Sequence, residues 1–516
     1  MFGGGVPGDL AASPFRVDRD RIVTSPFFAR LGGVTQVISP GGSGLLVHNR
    51  LTHSLKVAQV ARAVAERLSA SPRFRDLLER LGGCDPDVVE AAALAHDLGH
   101  PPFGHLGESV LDRIARTRLY LADGFEGNAQ SYRIVTSTDL RGSLTLSRPE
   151  LPAVIGLDLT AAVRAALLKY PWTRASFPDP HPSTMVPVPR GATPPADDPE
   201  SGSAKFGAYT TELADLRHAR APFAGRLPDW QQTVEASIMD TADDIAYAIH
   251  DIEDFHRVGV LRSGAVAAEL RTWQATAATL STLEYRDLVA DGRRPGYATE
   301  RLRRDIARKD AWISDDDAFA AAVAHVSTEL VDGLLAVPFD GSIEAEQTVT
   351  GFSARWTLRL VDAIEVVDAP TVRSGHVVLG PAQWHEVQVL KLVHRRFVLA
   401  RPDLALHQRG QARLLVALVD ALLAWLTDAD WLTGSNETAR LPQRLRDLVD
   451  LAEAELTAEP SAVAASGAGP VVSRIDRARG RAIVDFVAAL TDSQAAGLLD
   501  AISGRSGQLW TDAFVL

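Results

Sequence analysis

Four side chains in this 516-residue sequence have the types needed to hold a metal ion: His53, the pair His96-Asp97, and Asp243. His53 lies in HNRLTHSL, His96-Asp97 in AALAHDLGH, and Asp243 in MDTADDIAYAIHDIED. Two imidazoles and two carboxylates make a mixed nitrogen and oxygen donor set. Such a set suits Mn²⁺, Fe²⁺, Mg²⁺ or Zn²⁺ and offers no sulfur to softer ions. A divalent ion held this way acidifies water and neutralises charge building on a phosphoryl group. An HD dipeptide alone carries little weight, because a histidine at a helix end beside an aspartate arises by chance. Three neighbouring patterns change that weighting.

The first is the run HDLGHPPFGHLGE, which threads His100, His105 and Glu108 through glycines and prolines. Gly and Pro fix a backbone that is neither helix nor strand. Such a loop gathers titratable groups around one pocket; the alternative is a solvated polar loop. His105 and Glu108 are three residues apart, so on a helix they share a face, as an acid/base pair would. The second pattern is a stripe. At about 100° per residue, Asp243, Tyr247, Asp251 and Asp254 lie on one narrow face, with Asp240 close by and Ile238, Ile245, Ile249 and Ile252 opposite. A solvated amphipathic helix would show the same split. Yet no Lys or Arg relieves this face before Arg257, and like charges at i,i+4 cost about 0.2–0.5 kcal/mol each. A bound cation would offset that cost. The third is Arg50, three residues before His53. If the helix starts early, both point the same way, and a guanidinium beside a metal suits phosphate.

The elements that must position these groups read as almost entirely helical. Ala, Leu, Arg and Glu dominate, with apolar residues at three- and four-residue intervals. Leu55, Ala58, Ala61, Val64, Ala65 and Leu68 are expected on one face, with Thr52 as N-cap. Asp85-Pro86 caps and opens the helix that ends in His96, and Gly99 with Pro101-Pro102 stops it. Strand signals are confined to Thr35–Ile38 and Gly375–Leu379, so the expected class is all-α with at most minor hairpins. Residues 1–15 read as a frayed, Gly-rich start. Residues 16–260 read as the catalytic helical core, and 261–516 as a C-terminal helical portion packed on it and carrying oligomer contacts. Within the core, 171–204 is too rich in proline for helix and reads as a long exposed insertion. The run EPSAVAASGAG at 459–469 reads as flexible.

Composition excludes several classes. Hydrophobic residues make up 46% and charged residues 23%, an ordinary globular balance. The single cysteine, Cys84, rules out a disulfide framework within the chain and a Cys-rich zinc site. A net charge of −12 gives no global attraction for single-stranded nucleic acid or anionic membranes. The N-terminus lacks a signal-peptide pattern, and no uninterrupted apolar run of bilayer length is seen. A cytoplasmic protein without a membrane partner is expected.

The order H…HD…D, together with several blocks, resembles the deoxyguanosine triphosphate triphosphohydrolase (dGTPase-like) branch of the HD-domain phosphohydrolases. The blocks are DRDRIVTSPFFARLGGVTQVISP, NRLTHSLKVAQVAR, AALAHDLGHPPFGHLGE, GFEGNAQSYRIV, LLKYPW, KFGAYTTE and ADDIAYAIHDIEDF, in family order from Asp18 to Phe255. Further on, IVDFVAALTDSQA resembles a family helix with the pattern D-x-x-A-x-x-T-D. The resemblance implies an HD-domain helical core in which His53, His96, Asp97 and Asp243 hold one divalent metal. Mn²⁺ or Mg²⁺ comes first, with Fe²⁺, Co²⁺ or Zn²⁺ as alternatives. It implies that His105 and Glu108 serve as acid/base and water-orienting pair, and that Arg50 and His100 meet the phosphates. Gln36 would meet the sugar 3′-hydroxyl. Tyr247 would pack on the deoxyribose, Asp251 would bond the sugar or support a neighbour, and Glu126 and Asn128 would line the pocket or brace the catalytic histidine. Lys169, Tyr170 and Lys205 are candidates for structural or phosphate-side contacts. Three features depart from the family pattern: the proline-rich insertion, Ser493 where many relatives have arginine, and ARLGG after the SPF block.

The activity so implied is hydrolysis of a dNTP to a deoxynucleoside and inorganic triphosphate. A homo-oligomer, hexameric in many relatives, and a nucleotide effector are implied by the same resemblance. The rival readings are an HD-type phosphodiesterase or nucleotidase, and a catalytically silent nucleotide sensor. Keeping a full metal set plus an acid/base pair argues against the sensor.

Overall fold

The computed structural model describes residues 13–37, 48–139, 156–196, 198–370, 375–428, 441–458 and 473–507. Among them the regular structure is helical, apart from one two-stranded sheet and an isolated bridge. The first half contains α1 (Pro14–Val23), α2 (Pro26–Arg30), α3 (Arg50–Ala70), α4 (Arg75–Leu81), α5 (Pro86–Ala95), α6 (Gly104–Thr117), α7 (Gly127–Arg133), α8 (Ala161–Leu167), α9 (Leu213–Arg220) and α10 (Val234–Arg257). Then follow α11 (Ser263–Leu280), α12 (Tyr285–Ala290), α13 (Tyr297–Lys309), α14 (Asp316–Val326) and α15 (Ile343–Asp362). After β1 (Ile364–Val366) and β2 (Val377–Leu379) come α16 (Pro381–His394), α17 (Pro402–Asp428), α18 (Gln443–Ala458), α19 (Arg474–Ala488) and α20 (Asp492–Ile502).

The expected all-α class holds. The strands pair antiparallel with Ile364 opposite Leu379, so the 375–379 signal is realised as half of a short hairpin. The signal at Thr35 yields only an isolated bridge to Asn49, and Ile38 lies outside the described residues. Residues 1–12 and 459–469 also lie outside them.

Local chemistry explains where α3 begins. Asn49, not Thr52, is the N-cap: its side chain accepts from Thr52 N at 3.0 Å, and the Thr52 hydroxyl accepts from Asn49 N at 3.1 Å. This reciprocal capping box satisfies two orphan donors and starts the helix at Arg50. The buried face of α3 is centred on Val57, Ala61 and Val64, while Leu55 is 48% exposed. Ala58, Ala61, Val64, Ala65 and Leu68 are buried as expected, Val57 and Val60 join them, and Leu55 does not. The α5 boundary is as expected, with Asp85 accepting from Asp87 N at 2.8 Å and Pro86 at the first position.

One apolar core runs from Ile22 to Val398 and so crosses residue 260 without a break. It sandwiches α3 between α5 and α10. A second core joins α6 to α17, α18, α19 and α20 through Leu111, Leu418, Leu422, Leu445 and Phe486. Charge also ties the C-terminal helices to the site scaffold. Arg133 on α7, wholly buried, meets Glu212 at 2.6 Å, Glu455 at 2.9 Å and Asp485 at 2.9 Å.

One expectation is corrected. The 171–204 segment is irregular but not a solvated insertion. Trp172, Thr173, Arg174, Ala192 and Ser203 are buried, and Trp172 and Ala192 pack with Ala129, Phe206 and Tyr209. Proline removes the helix, yet the remaining donors find partners at home: Trp172 Nε1 donates to Lys205 O and Ser203 N to Arg174 O, both at 2.7 Å. A tip such as Val186, 97% exposed, is where solvent reaches. Two helical stretches, Asp316–Ala336 and Pro402–Thr427, are long and apolar enough by length and composition to cross a membrane, though neither is an uninterrupted apolar run. Here they pack instead, Phe319 and Val323 in the first core, Leu415 and Leu422 in the second.

Candidate active site

Three helices converge on the metal-type residues. Arg50 and His53 sit in the first turns of α3, His96 caps the C-terminus of α5, and Asp243 lies in mid-α10. Ligand-type atoms of His53, His96 and Asp243 all lie within 4.8 Å of one another. His53 Nε2 is 3.2 Å and His96 Nε2 3.8 Å from Asp243 Oδ1. His96 Nδ1 donates to the Ala93 carbonyl at 2.6 Å, which leaves Nε2 as the lone-pair nitrogen. That Nε2 is buried and has no hydrogen-bond partner. A buried acceptor aimed at a second imidazole and a carboxylate fits a divalent cation. Asp97 stands at the edge of this group. Its Oδ1 is 3.4 Å from His96 Nε2 and 2.9 Å from His100 Nδ1, while its Oδ2 accepts from Arg50 Nη1 at 2.9 Å.

Beside the trio is a second group, His100, His105 and Glu108, also mutually within 4.8 Å. His105 Nδ1 is 3.1 Å from Glu108 Oε2, so the two do share a face of α6. Lys205 Nζ contacts Glu108 and lies 3.0 Å from Glu126 Oε1. Glu126 in turn caps α7, accepting from Ala129 N at 3.1 Å and from Asn128 Nδ2 at 2.9 Å. Glu126 is thus one step behind the cavity wall, reached through Lys205.

The electrostatics favour a set of fixed charges. Burial opposes ionisation of Glu108, but Lys205 and His105 outweigh it and hold the carboxyl well below its usual range. For Asp243 the same contest is won by Lys169, His53 and His96. Burial of Asp97 is outweighed by His100, Arg50 and His96. Burial, then Arg50, lowers His100 to about 4, so it is a neutral imidazole at pH 7. Burial and the neighbouring Asp254 push the Asp251 carboxyl well up.

The stripe on α10 is not a solvated face. Asp251 and Asp254 are buried. The relief missing from the helix itself comes from other elements: Lys169 lies 2.8 Å from Asp240 and 2.9 Å from Asp243, and His48 Nδ1 lies 2.6 Å from Asp254. Tyr247 Oη is 3.0 Å from His394 Nδ1, which is 3.2 Å from Asp251 Oδ2. Asp251 therefore stands behind the Tyr247–His394 pair.

Gln36, Arg50, His53, His96, Asp97, His100, His105, Glu108, Asn128, Asp243 and Tyr247 line one cavity of about 340 Å³, with Lys169, Tyr170 and Lys205. That volume is within the range of small-molecule sites, roughly 300–1,000 Å³. A larger cavity of about 650 Å³ adjoins it at Arg395 and has no metal-type cluster, so chemistry, not size, marks the smaller one as the site.

The comparisons with known proteins agree with this geometry. An HD domain family model matches residues 50–135, the stretch from Arg50 through α7. A deoxyguanosinetriphosphate triphosphohydrolase-like protein of Streptomyces coelicolor is 31% identical over 510 residues, 97% of this chain and 94% of that protein. Proteins of the same description from Bifidobacterium longum and Rhodopseudomonas palustris are 29% and 32% identical, over 86% and 72% of this chain and 80% and 81% of their own lengths. The chain belongs to the deoxyguanosinetriphosphate triphosphohydrolase-like family.

As a dGTPase-like HD protein it has a hydrolase site suited to a divalent metal. The sequence reading missed part of that site. Asp244, Lys391, His394, Arg395 and Leu399 also line the cavity. Lys391 Nζ lies 2.8 Å from Asp244, which also meets Arg190 of the proline-rich segment at 3.3 Å. Burial and the adjacent Arg395 lower His394 to about 4. The signal was present in KLVHRRF, where Lys391, His394 and Arg395 have i, i+3, i+4 spacing on one helix face. Only the three-dimensional return of α16 to α10 gives that face its meaning.

Proposed function

We propose that this chain hydrolyses deoxynucleoside triphosphates to deoxynucleoside and inorganic triphosphate. The observation that carries the proposal is the joining of the His53/His96/Asp243 trio and the His105–Glu108 pair in one cavity edged by Arg50, Lys169, Lys205, Lys391 and Arg395. A triphosphate needs such cations, and a phosphoryl-transfer transition state is served chiefly by positioning and charge. His53, His96 and Asp243, with Asp97 beside them, would hold one divalent ion, Mn²⁺ or Mg²⁺ first, with Fe²⁺, Co²⁺ or Zn²⁺ as alternatives. When bound, such an ion polarises the α-phosphoryl group and acidifies water.

The chain's own groups do the rest. Arg50 presents Nε and Nη2, both buried and without partners, toward phosphate oxygens. The neutral His100 adds a contact without a charge. Ionised Glu108 accepts a hydrogen bond from the attacking water. The water's oxygen bonds to the α-phosphorus and gives up a proton to Glu108, which returns it to His105 across their 3.1 Å contact, while the bond to the sugar 5′-oxygen breaks and that oxygen takes up a proton. His105, 65% exposed at its side chain, is placed to donate it. Gln36 is assigned to the sugar 3′-hydroxyl, Tyr247 with Asp251 behind it to the deoxyribose face, and Asn128 with Glu126 to bracing the Lys205–Glu108 pair.

The test is product chromatography with each of the four dNTPs, singly and mixed, with Mn²⁺ or Mg²⁺. Deoxynucleoside plus triphosphate supports the reading. Orthophosphate would favour a nucleotidase, and binding without turnover a sensor. His105→Ala should slow turnover roughly 10²–10⁴-fold with metal still bound, and full speed would remove His105 from the mechanism. Two partners are proposed on the family resemblance: assembly into a homo-oligomer such as a hexamer, checked by light scattering, and a nucleotide effector. The 650 Å³ cavity, with Arg293, Arg301, Lys309 and Arg396, has the charge for an anionic effector. Single-stranded nucleic acid is a weaker candidate, given the net charge of −12.

A further inference from the structure

The T-D step of the C-terminal pattern lies hundreds of residues from the metal-type residues in sequence, yet it touches two segments of the site at once. Asp492 opens α20. Its Oδ1 accepts from Phe103 N at 2.8 Å, and its Oδ2 accepts from Thr35 N at 3.1 Å and from the Thr35 hydroxyl. Thr35 precedes Gln36, whose Oε1 is buried, lines the cavity and has no partner. Phe103 precedes the Gly104-His105 start of α6.

The backbone at Phe103 is held against its preference. Phe103 has φ of 65°, in the left-handed region, and Gly104 follows with φ of 59°. A non-glycine residue there is strained and persists only where its surroundings over-determine it. Asp492 supplies one such constraint. Packing supplies others: a Cβ on Gly104 would lie 3.1 Å from Thr35 O, and one on Gly33 would lie 2.7 Å from Thr491 Cγ2. Gly33 therefore lets the Gln36 turn close onto the cap of α20. Arg30 completes the join. It is buried, and donates to Leu490 O at 2.9 Å, Leu98 O at 2.7 Å and His100 O at 2.8 Å.

We propose that Asp492 is a positioning residue, which uses its two oxygens to fix the Gln36 turn and the His105 loop relative to each other. The C-terminal helix pair is then part of the site's frame. The proposal rests on the reading of Gln36 and His105 given above. Its physical basis is that a misplacement of about 1 Å by a residue away from the chemistry costs as much as 10²-fold in rate.

The test compares Asp492→Ala with Gln494→Ala in the full chain. Gln494 Oε1 accepts from Thr491 N at 2.8 Å and caps the same helix as the other half of its capping box. Readouts are kcat and KM for dNTP hydrolysis, thermal unfolding, Mn²⁺ binding by calorimetry, and the ¹³C-labelled imidazole signal of His105, assigned with His105→Ala. Asp492→Ala should lower kcat by about 10- to 10²-fold and raise KM, with Mn²⁺ binding retained and the His105 signal moved, whereas Gln494→Ala stays within about twofold in kcat. Wild-type kcat in Asp492→Ala, or an equal loss in Gln494→Ala, overturns the proposal. Should Asp492→Ala fail to fold, Asp492→Asn, which keeps one acceptor, carries the same comparison. If the wild type hydrolyses no dNTP, the functional reading fails, and an unmoved His105 signal in the Asp492 variant would separately refute the positioning role.

Discussion

Replacing Asp97 with alanine should cost stability before any metal is considered. Arg50 is 1% exposed, and its Nη1 donates to Asp97 Oδ2 at 2.9 Å. Its Nε and Nη2 have no partner among the described residues. Removing Asp97 strands that guanidinium in the wall of the cavity. Breaking a buried pair by deleting one member costs about 3–5 kcal/mol. With the guanidinium almost wholly buried, a loss in that range of about 3–5 kcal/mol is expected. The double variant Arg50→Met/Asp97→Ala carries no orphaned charge and should recover most of that loss. The assay is urea unfolding of EDTA-stripped wild type, both single variants and the double variant, which together give the coupling energy. Stripping the metal first separates the Arg50 contact from any role of Asp97 as a ligand. The reasoning is refuted if stripped Asp97→Ala lies within about 1 kcal/mol of wild type, or if the double variant is no more stable than Asp97→Ala.

Three further outcomes are expected. Burial at the start of α10 pushes Glu235 up to about 7. Its folded pKa is raised above the unfolded value of about 4.3, so the stability it contributes is present below that value and lost as pH rises through about 7. Glu235→Gln should therefore exceed wild type in urea stability by up to about 3 kcal/mol at pH 8 but not at pH 4, and no gain at pH 8 would contradict this. A Cβ on Gly99 would fall 2.2 Å from Ser131 N and 2.5 Å from Gly127 O. Gly99→Ala should cost at least the 1–3 kcal/mol typical of overpacking, roughly, because backbone cannot step aside; calorimetry showing an unchanged melting temperature would refute it. If Tyr247 crowds the 2′-position, Tyr247→Ala should raise the ribo-to-deoxynucleotide ratio of kcat/KM by about 10-fold or more, and an unchanged ratio removes that assignment.

Much of this architecture was legible in the sequence, for reasons that also mark where legibility ends. Helical periodicity and the Asp85-Pro86 cap place α5, because both signals are local. The phase of α3 was read wrongly at Leu55, since the sequence does not say that α5 and α10 flank the helix on the side of Val57 and Val64. The capping residue was missed because Asn49 and Thr52 serve each other, and from the sequence alone either looks like the cap. Proline content correctly excluded helix from 171–204 but said nothing of burial. Trp172 is buried through contacts with Phe206 and Tyr209, which lie beyond the segment. Residues of α16 join the site scaffold across a gap of more than a hundred residues, where no quoted block reaches, and the T-D step of α20 was legible as a pattern but not in its contacts to Thr35 and Phe103.

The carboxylate stripe of α10 does not by itself call for a metal ion. Carboxylates along α10 implied a cation because no basic residue lay among them. The groups that face them prove to be Lys169, the His48 imidazole and, toward Asp244, Lys391 and Arg190. The stripe alone would be satisfied without an ion. His96 is not so easily satisfied. Its Nδ1 is committed to Ala93 O, and its Nε2 is left buried and unpartnered 3.8 Å from Asp243 and 3.4 Å from Asp97. Protonating that nitrogen would make an ordinary ion-pair cluster. A divalent ion instead uses both imidazole lone pairs and the carboxylate together, which is the arrangement that the second-sphere bond to Ala93 prepares.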